Sequence, residues 1–169
     1  MVRVNEDEEA LPAMVQWTLG SYGSKTGSGR NSVATGACCA QSIVDQLRFH
    51  LRFLEALIAE GWKLSAPRIG VTDFSGGRLL QTLEGSIVAP LRAEFGQSTV
   101  DLDPTRQSGR GYYGSVCFKI WVKDPAGVEV EIGDGGDVPW TQKLLSNAKE
   151  RLIISAVALE RLAAIRGEA

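Results

Sequence analysis

Tyr112-Tyr113-Gly114-Ser115-Val116-Cys117-Phe118-Lys119-Ile120-Trp121-Val122-Lys123, followed by Asp124-Pro125-Ala126-Gly127 and Val128-Glu129-Val130-Glu131-Ile132, is the stretch that sets the fold class. Val116, Phe118, Ile120 and Val122 alternate with Cys117, Lys119 and Trp121. That two-residue period predicts a strand over 112–123. Asp-Pro-Ala-Gly has the chemistry of a tight turn. Beyond it, Val128, Val130 and Ile132 alternate with Glu129 and Glu131, so the chain returns as an antiparallel partner strand. Gly133-Asp134-Gly135-Gly136-Asp137 then reads as a loop.

Working outward, Ile43, Leu47, Leu51 and Leu54 recur at helical spacing, Leu57 and Ile58 continue the stripe, and Gly61 ends it as a C′ glycine. His50 sits beside this stripe, as an edge-of-core or surface residue. Pro67 to Phe74 reads as a strand and Leu79 to Phe95 as a helix interrupted near Pro90. Ser98 to Asp103 reads as a short strand. Downstream, Trp140 to Lys149 reads as a short helix, Leu152-Ile153-Ile154 as a strand and Val157 to Ile165 as a last helix. A single helix over 140–165 fits the same periodicity. At the N-terminus, Leu11 to Leu19, with Pro12 near its start, reads as a short helix. Hairpin plus helices gives an α+β domain, with a mainly antiparallel sheet and flanking helices. The expected division is an N-terminal segment and Gly/Ser-rich loop over 1–32 and a single α+β domain over 33–169.

The 169 residues carry 18 Lys plus Arg and 20 Asp plus Glu, a formal charge of −2, which argues against binding nucleic acid through bulk charge. Apolar residues are 44%, enough for a core and too many for a disordered tail. No apolar run is long enough to span a bilayer, and the acidic start, Asn5 to Glu9, is neither a secretory signal nor a transit peptide. Three cysteines (Cys38, Cys39, Cys117) without framework spacing point to a reducing, cytoplasmic setting. With one histidine, no zinc site of the usual kind is expected.

Four stretches carry candidate chemistry. Gly20 to Ser32 is glycine-rich and includes Gly23-Ser24-Lys25-Thr26 and Arg30. It lacks the Gly-Lys pair of a phosphate-binding P-loop and reads as a mobile surface loop. Arg106 to Gly114 offers two arginines for anion recognition, glycines for close backbone approach and the pair Tyr112-Tyr113. Gly135-Gly136 lies at the same end of the hairpin. Leu159-Glu160-Arg161-Leu162 places a charged pair on the last helix.

Taken in order, Tyr112-Tyr113-Gly114 with Val116 and Phe118, then Gly135-Gly136, then Leu159-Glu160-Arg161-Leu162 resembles the second half of the histidyl-tRNA synthetase catalytic core, a class II aminoacyl-tRNA synthetase. The resemblance covers residues 41–166. It implies a class II synthetase-like antiparallel sheet on which Tyr112, Tyr113, Gly135 and Gly136 line a substrate pocket. It further implies that Arg161, at the motif 3 position, contacts a nucleotide phosphate, with ATP and Mg²⁺ as the cofactors of an active relative. Arg110 is the candidate clamp for an anionic group. The chain also departs from the family. Ser108 stands where the family has an arginine, Gly-Gly-Arg-Tyr-Asp becomes Gly135-Gly136-Asp137-Val138-Pro139, and motifs 1 and 2 are missing. The expectation is therefore a divergent paralogue that binds a small ligand of amino-acid, ATP or adenylate type without charging tRNA. The alternative is an inactive regulatory or assembly subunit. Either way a homo-oligomer or partner protein is expected, with no direct nucleic-acid or membrane binding.

Overall fold

The computed structural model describes residues 14–18 and 32–166, with side chains described from Ala40 onward. The acidic N-terminus and residues 19–31, which hold the Gly/Ser-rich candidate loop, lie outside the described residues.

The hairpin forms as its alternation dictates. β4 (Val116–Lys123) pairs antiparallel with β5 (Glu129–Val138). The turn closes with Gly127 N–H on the Asp124 carbonyl at 2.9 Å, and Gly127 takes φ +79°, which favours glycine. The other strands are β1 (Met14–Thr18), β2 (Ser65–Asp73), β3 (Thr99–Leu102) and β6 (Leu152–Val157). They make a six-stranded sheet in the order β1-β6-β5-β4-β2-β3. Every neighbouring pair is antiparallel except β2 with β3. A parallel pair needs a crossover, and helical residues 80–94 supply it.

The helices that build the main core, the long first helix, the helical stretch 80–94 and the last helix, serve one face. On α1 (Ser32–Ala59), Ile43, Val44, Leu47, Leu51 and Leu54 are buried, as the periodicity demands. The helix ends in a Schellman arrangement: Gly61 N–H bonds the Ile58 carbonyl and Trp62 N–H the Leu57 carbonyl, both at 3.0 Å. Leu47 and Leu51 join Ile69, Val71, Phe118, Ile120 and Ile132 in the main core, closed from the other end by Leu162 of α5 (Leu159–Arg166). The opposite sheet face carries no helix layer. Its apolar part is a small cluster of Tyr113, Cys117, Val138, Leu152 and Ile154.

Several expectations need correction. The segment expected as a helix over Leu11–Leu19 contributes β1, hydrogen-bonded along the edge of β6 from Met14↔Val157 to Thr18↔Ile153. Val15, Trp17 and Thr18 favour extended backbone, and pairing with β6 satisfies it. The strand expected from Tyr112 begins at Val116, because Gly109 and Gly111 take φ +90° and +86° and turn the chain first. Gly133 to Asp137 is no loop: β5 continues through Val138, paired with β4 on one side and β6 on the other. The expected helix over 140–149 stops at Leu144, giving α4 (Trp140–Leu144). Ser146 turns left-handed at φ +47°, and the Asn147 side chain accepts Lys149 N–H in a local turn that competes with helix.

Near Pro90 the helix is locally rewound instead of broken. α2 (Leu80–Leu83) runs through a π-helical turn, Glu84–Val88, into α3 (Ala89–Glu94). The wider turn sits where a proline without N–H begins the next helical stretch. Leu152–Val157 is extended and hydrogen-bonded to β5, so a single helix over 140–165 does not form. No helix among the described residues is long and apolar enough to cross a membrane.

Candidate functional site

Tyr112, Tyr113 and Gly136 come together at the open sheet face, at the Gly136 end of β5. After β3 the chain turns through Arg106 to Gly111. Tyr113 N–H reaches back to the Gly109 carbonyl at 2.9 Å. This turn lays the Tyr113 ring over the sheet. A Cβ on Gly136 would stand 2.7 Å from Tyr113 Cδ1 and 2.5 Å from the Val116 carbonyl oxygen, so only glycine lets the ring lie there. Tyr112 packs edge-on against Tyr113 at 4.9 Å and against Trp140 at 5.7 Å between ring centroids.

Two aspartates of β5 hold this loop. Asp137 accepts the backbone N–H groups of Ser115 and Val116 on Oδ1 at 2.8 and 2.6 Å, and its carbonyl accepts Gly114 N–H at 2.7 Å. Asp134 Oδ2 accepts the Tyr113 hydroxyl at 2.9 Å and Arg106 Nη2 at 3.2 Å. Arg106 also donates from Nη1 to the Phe118 carbonyl at 2.8 Å and from Nε to the Ser108 carbonyl at 3.0 Å, with its guanidinium 5.5 Å from the Tyr113 ring centroid. Burial first, and the Asp134 carboxylate second, hold the Tyr113 phenol well above its ordinary pKa. The same two causes raise Tyr112. Burial pushes the Cys117 thiol up to about 11, so beneath the tyrosine it is a neutral packing residue and no nucleophile at pH 7.

The expected site residues therefore divide. Tyr112, Tyr113 and Gly136 come together. Gly135 does not face them: it pairs with Phe118, and a Cβ there would meet the Phe118 ring at 2.5 Å, toward the helix layer. Arg110 lies with its guanidinium 4.7 Å from the Phe74 ring centroid and bonds Gln107 Oε1 at 3.0 Å. Arg161, exposed on α5, donates Nη1 to the Glu131 carbonyl at 2.7 Å. That anchor lies three residues along β5 from Asp134, about 10 Å in extended chain. Asp134, Asp137 and the inward role of Arg106 escaped the sequence reading. The one signal for them was an aspartate on either side of Gly135-Gly136.

The wider open face is a band of paired charges. Arg68 stacks on Trp121 at 3.7 Å and donates to both Glu129 oxygens at 2.7 Å. Lys119 donates to Glu131 at 2.6 Å. Among the described residues, no group of three His, Cys, Asp or Glu could hold a metal ion. His50 lies on the other face, buried beneath the sheet. Its Nε2 is 2.9 Å from Ser155 Oγ, which also accepts Gln46 Nε2 at 2.7 Å. Burial lowers its pKa to about 4, so it is a neutral core residue, more deeply placed than the sequence suggested.

No family model and no curated protein matches the chain. Solved structures do. The RNA-binding domain of threonyl-tRNA synthetase from Cryptosporidium parvum Iowa II superposes with a TM-score of 0.50 at 16% identity, over 78% of this chain and 34% of that one. Apo histidyl-tRNA synthetase from S. aureus superposes with a TM-score of 0.45 at 19% identity, over 68% of this chain and 34% of that one. The chain thus spans about a third of the length of either match. At these identities the likeness is one of fold and does not single out the histidyl type. The α+β sheet with its helices on one face is an aminoacyl-tRNA synthetase-like fold.

Proposed function

We propose that this chain is a divergent histidyl-tRNA synthetase-like protein that binds a small ligand of amino-acid, ATP or adenylate type on the open face of its sheet and does not charge tRNA. The observation that carries the reading is the Arg106–Asp134–Tyr113 cluster. A charged pair and a phenol are locked together on the one sheet face that no helix covers. Such preorganised polar groups on a rigid floor are what a specific small-molecule site requires. In this reading Tyr112 and the edge of Tyr113 line the ligand, while Gly136 seats the Tyr113 ring and Gly135 shapes the strand from behind. Arg110 stands at the rim for an anionic group. Arg161 spends one donor on Glu131 and keeps the rest of its guanidinium for a phosphate, which fits a nucleotide with its own Mg²⁺. The charge stabilisation that phosphate chemistry needs would come from that guanidinium. Titration calorimetry of the chain with amino acids and with ATP tests the reading. Heat of binding from at least one of them is expected, and silence from all would refute it.

A second reading, an inactive regulatory or assembly subunit of oligomeric form, is favoured by one feature. Tyr112, Trp140, Leu144 and Leu145 are all exposed along and beside α4, Leu144 at 82%. Apolar side chains this exposed mark contact surfaces. Light scattering separates the two: a clean monomer at high concentration counts against the subunit reading.

A further inference from the structure

Three loops, residues 74–79, 106–115 and 139–151, meet at the end of the sheet where Asp73 pairs with Val116, Cys117 with Gly136 and Val138 with Leu152. Their charges are one-sided. Arg78, Arg110, Lys143 and Lys149 are exposed and Arg151 is half-buried, while the loops hold a single carboxylate, Glu150. Elsewhere on the surface Arg48, Arg68, Arg92 and Lys119 each sit against a carboxylate. Among the described residues none of the loop cations does. Arg78 and Arg151 donate to backbone carbonyls, and Arg110 to Gln107. The strand-end aspartates are turned inward: Asp73 accepts the N–H groups of Ser75 and Leu79, and Asp137 those of Ser115 and Val116.

The same end leaves aliphatic side chains in water. Leu144 and Leu145 are exposed, and Leu144 lines an open hollow with Lys143 and Leu152. Apolar anchors set among unpaired cations fit a peptide that mixes acidic and apolar side chains. A polyphosphate would answer the cations and leave both leucines in water. The chain itself holds such a segment, outside the described residues: Val2, Val4 and Leu11 flank the run Glu6-Asp7-Glu8-Glu9.

We propose that this end of the sheet is the docking surface for residues 1–13 of the same copy, the acidic run lying on the loop cations and the apolar residues on Leu144 and Leu145. The reach is sufficient. Met14 pairs with Val157, and Leu152 lies about 17 Å away along β6. Glu9 and Glu6 precede Met14 by about 17 and 26 Å of extended chain. The segment has to double back before β1, and Pro12 carries the chemistry of such a turn. This docking does not depend on the ligand-binding reading.

Carbodiimide crosslinking of the full chain tests it, because that reagent joins a carboxylate to an amine only in contact. Lys119 and Glu131, 2.6 Å apart, are the internal control. Peptide mass mapping should find Lys143 or Lys149 joined to a carboxylate among Glu6 to Glu9. Raising the salt to about 1 M should cut that yield about fivefold and the half-buried control pair less. Leu144→Ser with Leu145→Ser, both on exposed positions, should cut it about threefold, which charge alone would not do. In an equal mixture of isotope-labelled and unlabelled chains, each crosslink should carry one label and not both. A control crosslink with the acidic run joined to nothing, or joined to Lys63 or Lys123 at the far end of the sheet, would overturn the proposal. Crosslinks of mixed label would overturn it in favour of a second copy.

Discussion

Phe118 and Lys119 are neighbours on one strand and belong to different worlds. Phe118 is fully buried between the sheet and α1, in a core whose other members are nearly all aliphatic. Lys119 lies on the open face, paired with Glu131 in a band that also holds Arg68 with Glu129 and Arg106 with Asp134. The period of two along β4 and β5 sends alternate side chains to these two surfaces. Even the polar residues obey the division. Gln46, His50 and Ser155 on the helix side bond one another and are sealed. On the open side the side chains of Arg68, Lys119 and Asp134 stay partly exposed, and Arg106 alone of these charges is buried. The helix face sets stability; the open face is where we propose that a ligand is met.

Breaking this comparison starts with the largest effect. Phe118→Ala should cost about 3–5 kcal/mol, the range for removing a fully buried phenylalanine, read as a shift of the urea midpoint. A cost below about 1 kcal/mol would mean that the helices do not seal this face. His50 gives the next effect. Its pKa is about 4 in the folded chain against 6.5 when unfolded, so the unfolded chain takes up the proton first as pH falls. The stability present above pH 6.5 is lost on the way down to about pH 4, at about 1.4 kcal/mol per unit and about 3 kcal/mol in all. Comparing the pH slope of unfolding for the wild type and His50→Phe checks it. Equal slopes between pH 6 and 4.5 would place the imidazole in water, against the sealed core.

The division also explains what was legible from the sequence. The helix face is written in periodicity: Ile43, Leu47, Leu51 and Leu54 on α1 and Val116, Phe118, Ile120 and Val122 on β4 are buried as their spacing demands. The hairpin turn was legible because Asp124 and Gly127 carry its chemistry locally. The open face is not periodic. Gly133-Asp134-Gly135-Gly136-Asp137 looks like a loop, since glycines and aspartates usually mark one. Here the glycines make room for Phe118 and Tyr113, and the aspartates capture a distant turn. Both reasons are tertiary, as is the pairing that makes Met14–Thr18 a strand. The tyrosine pair was found by type and missed by backbone: its turn depends on Gly109 and Gly111, which alternation cannot foresee.

Arg106→Met sharpens the boundary between the two faces, because Arg106 is a charge buried on the open side. The variant leaves the Phe118 carbonyl without its donor and Asp134 with only Tyr113. Asp134 is partly solvated, so the loss should stay near about 1–3 kcal/mol in denaturant unfolding, below that of Phe118→Ala. Asp134, no longer held by Arg106, anchors Tyr113 less rigidly, so the near-ultraviolet circular dichroism of the tyrosines should fall even below the unfolding transition. An unchanged spectrum would show that Gly136 and Gly109 alone seat the ring.

The smallest effect on folding belongs to α4. Leu144 and Leu145 are exposed at 82% and 59%, and truncating a side chain already in water removes little burial. Leu144→Ser with Leu145→Ser should therefore leave stability within about 0.5 kcal/mol of the wild type. The same change strips two apolar groups from a patch that continues through Trp140 to Tyr112. If that patch is where copies or partners meet, light scattering should show a lower average mass for the double variant than for the wild type at equal concentration. If the masses agree and stability is unchanged, these leucines serve neither face of the sheet. The case for an assembly subunit would then lose its one structural support, leaving ligand binding beside Asp134 as the reading to pursue.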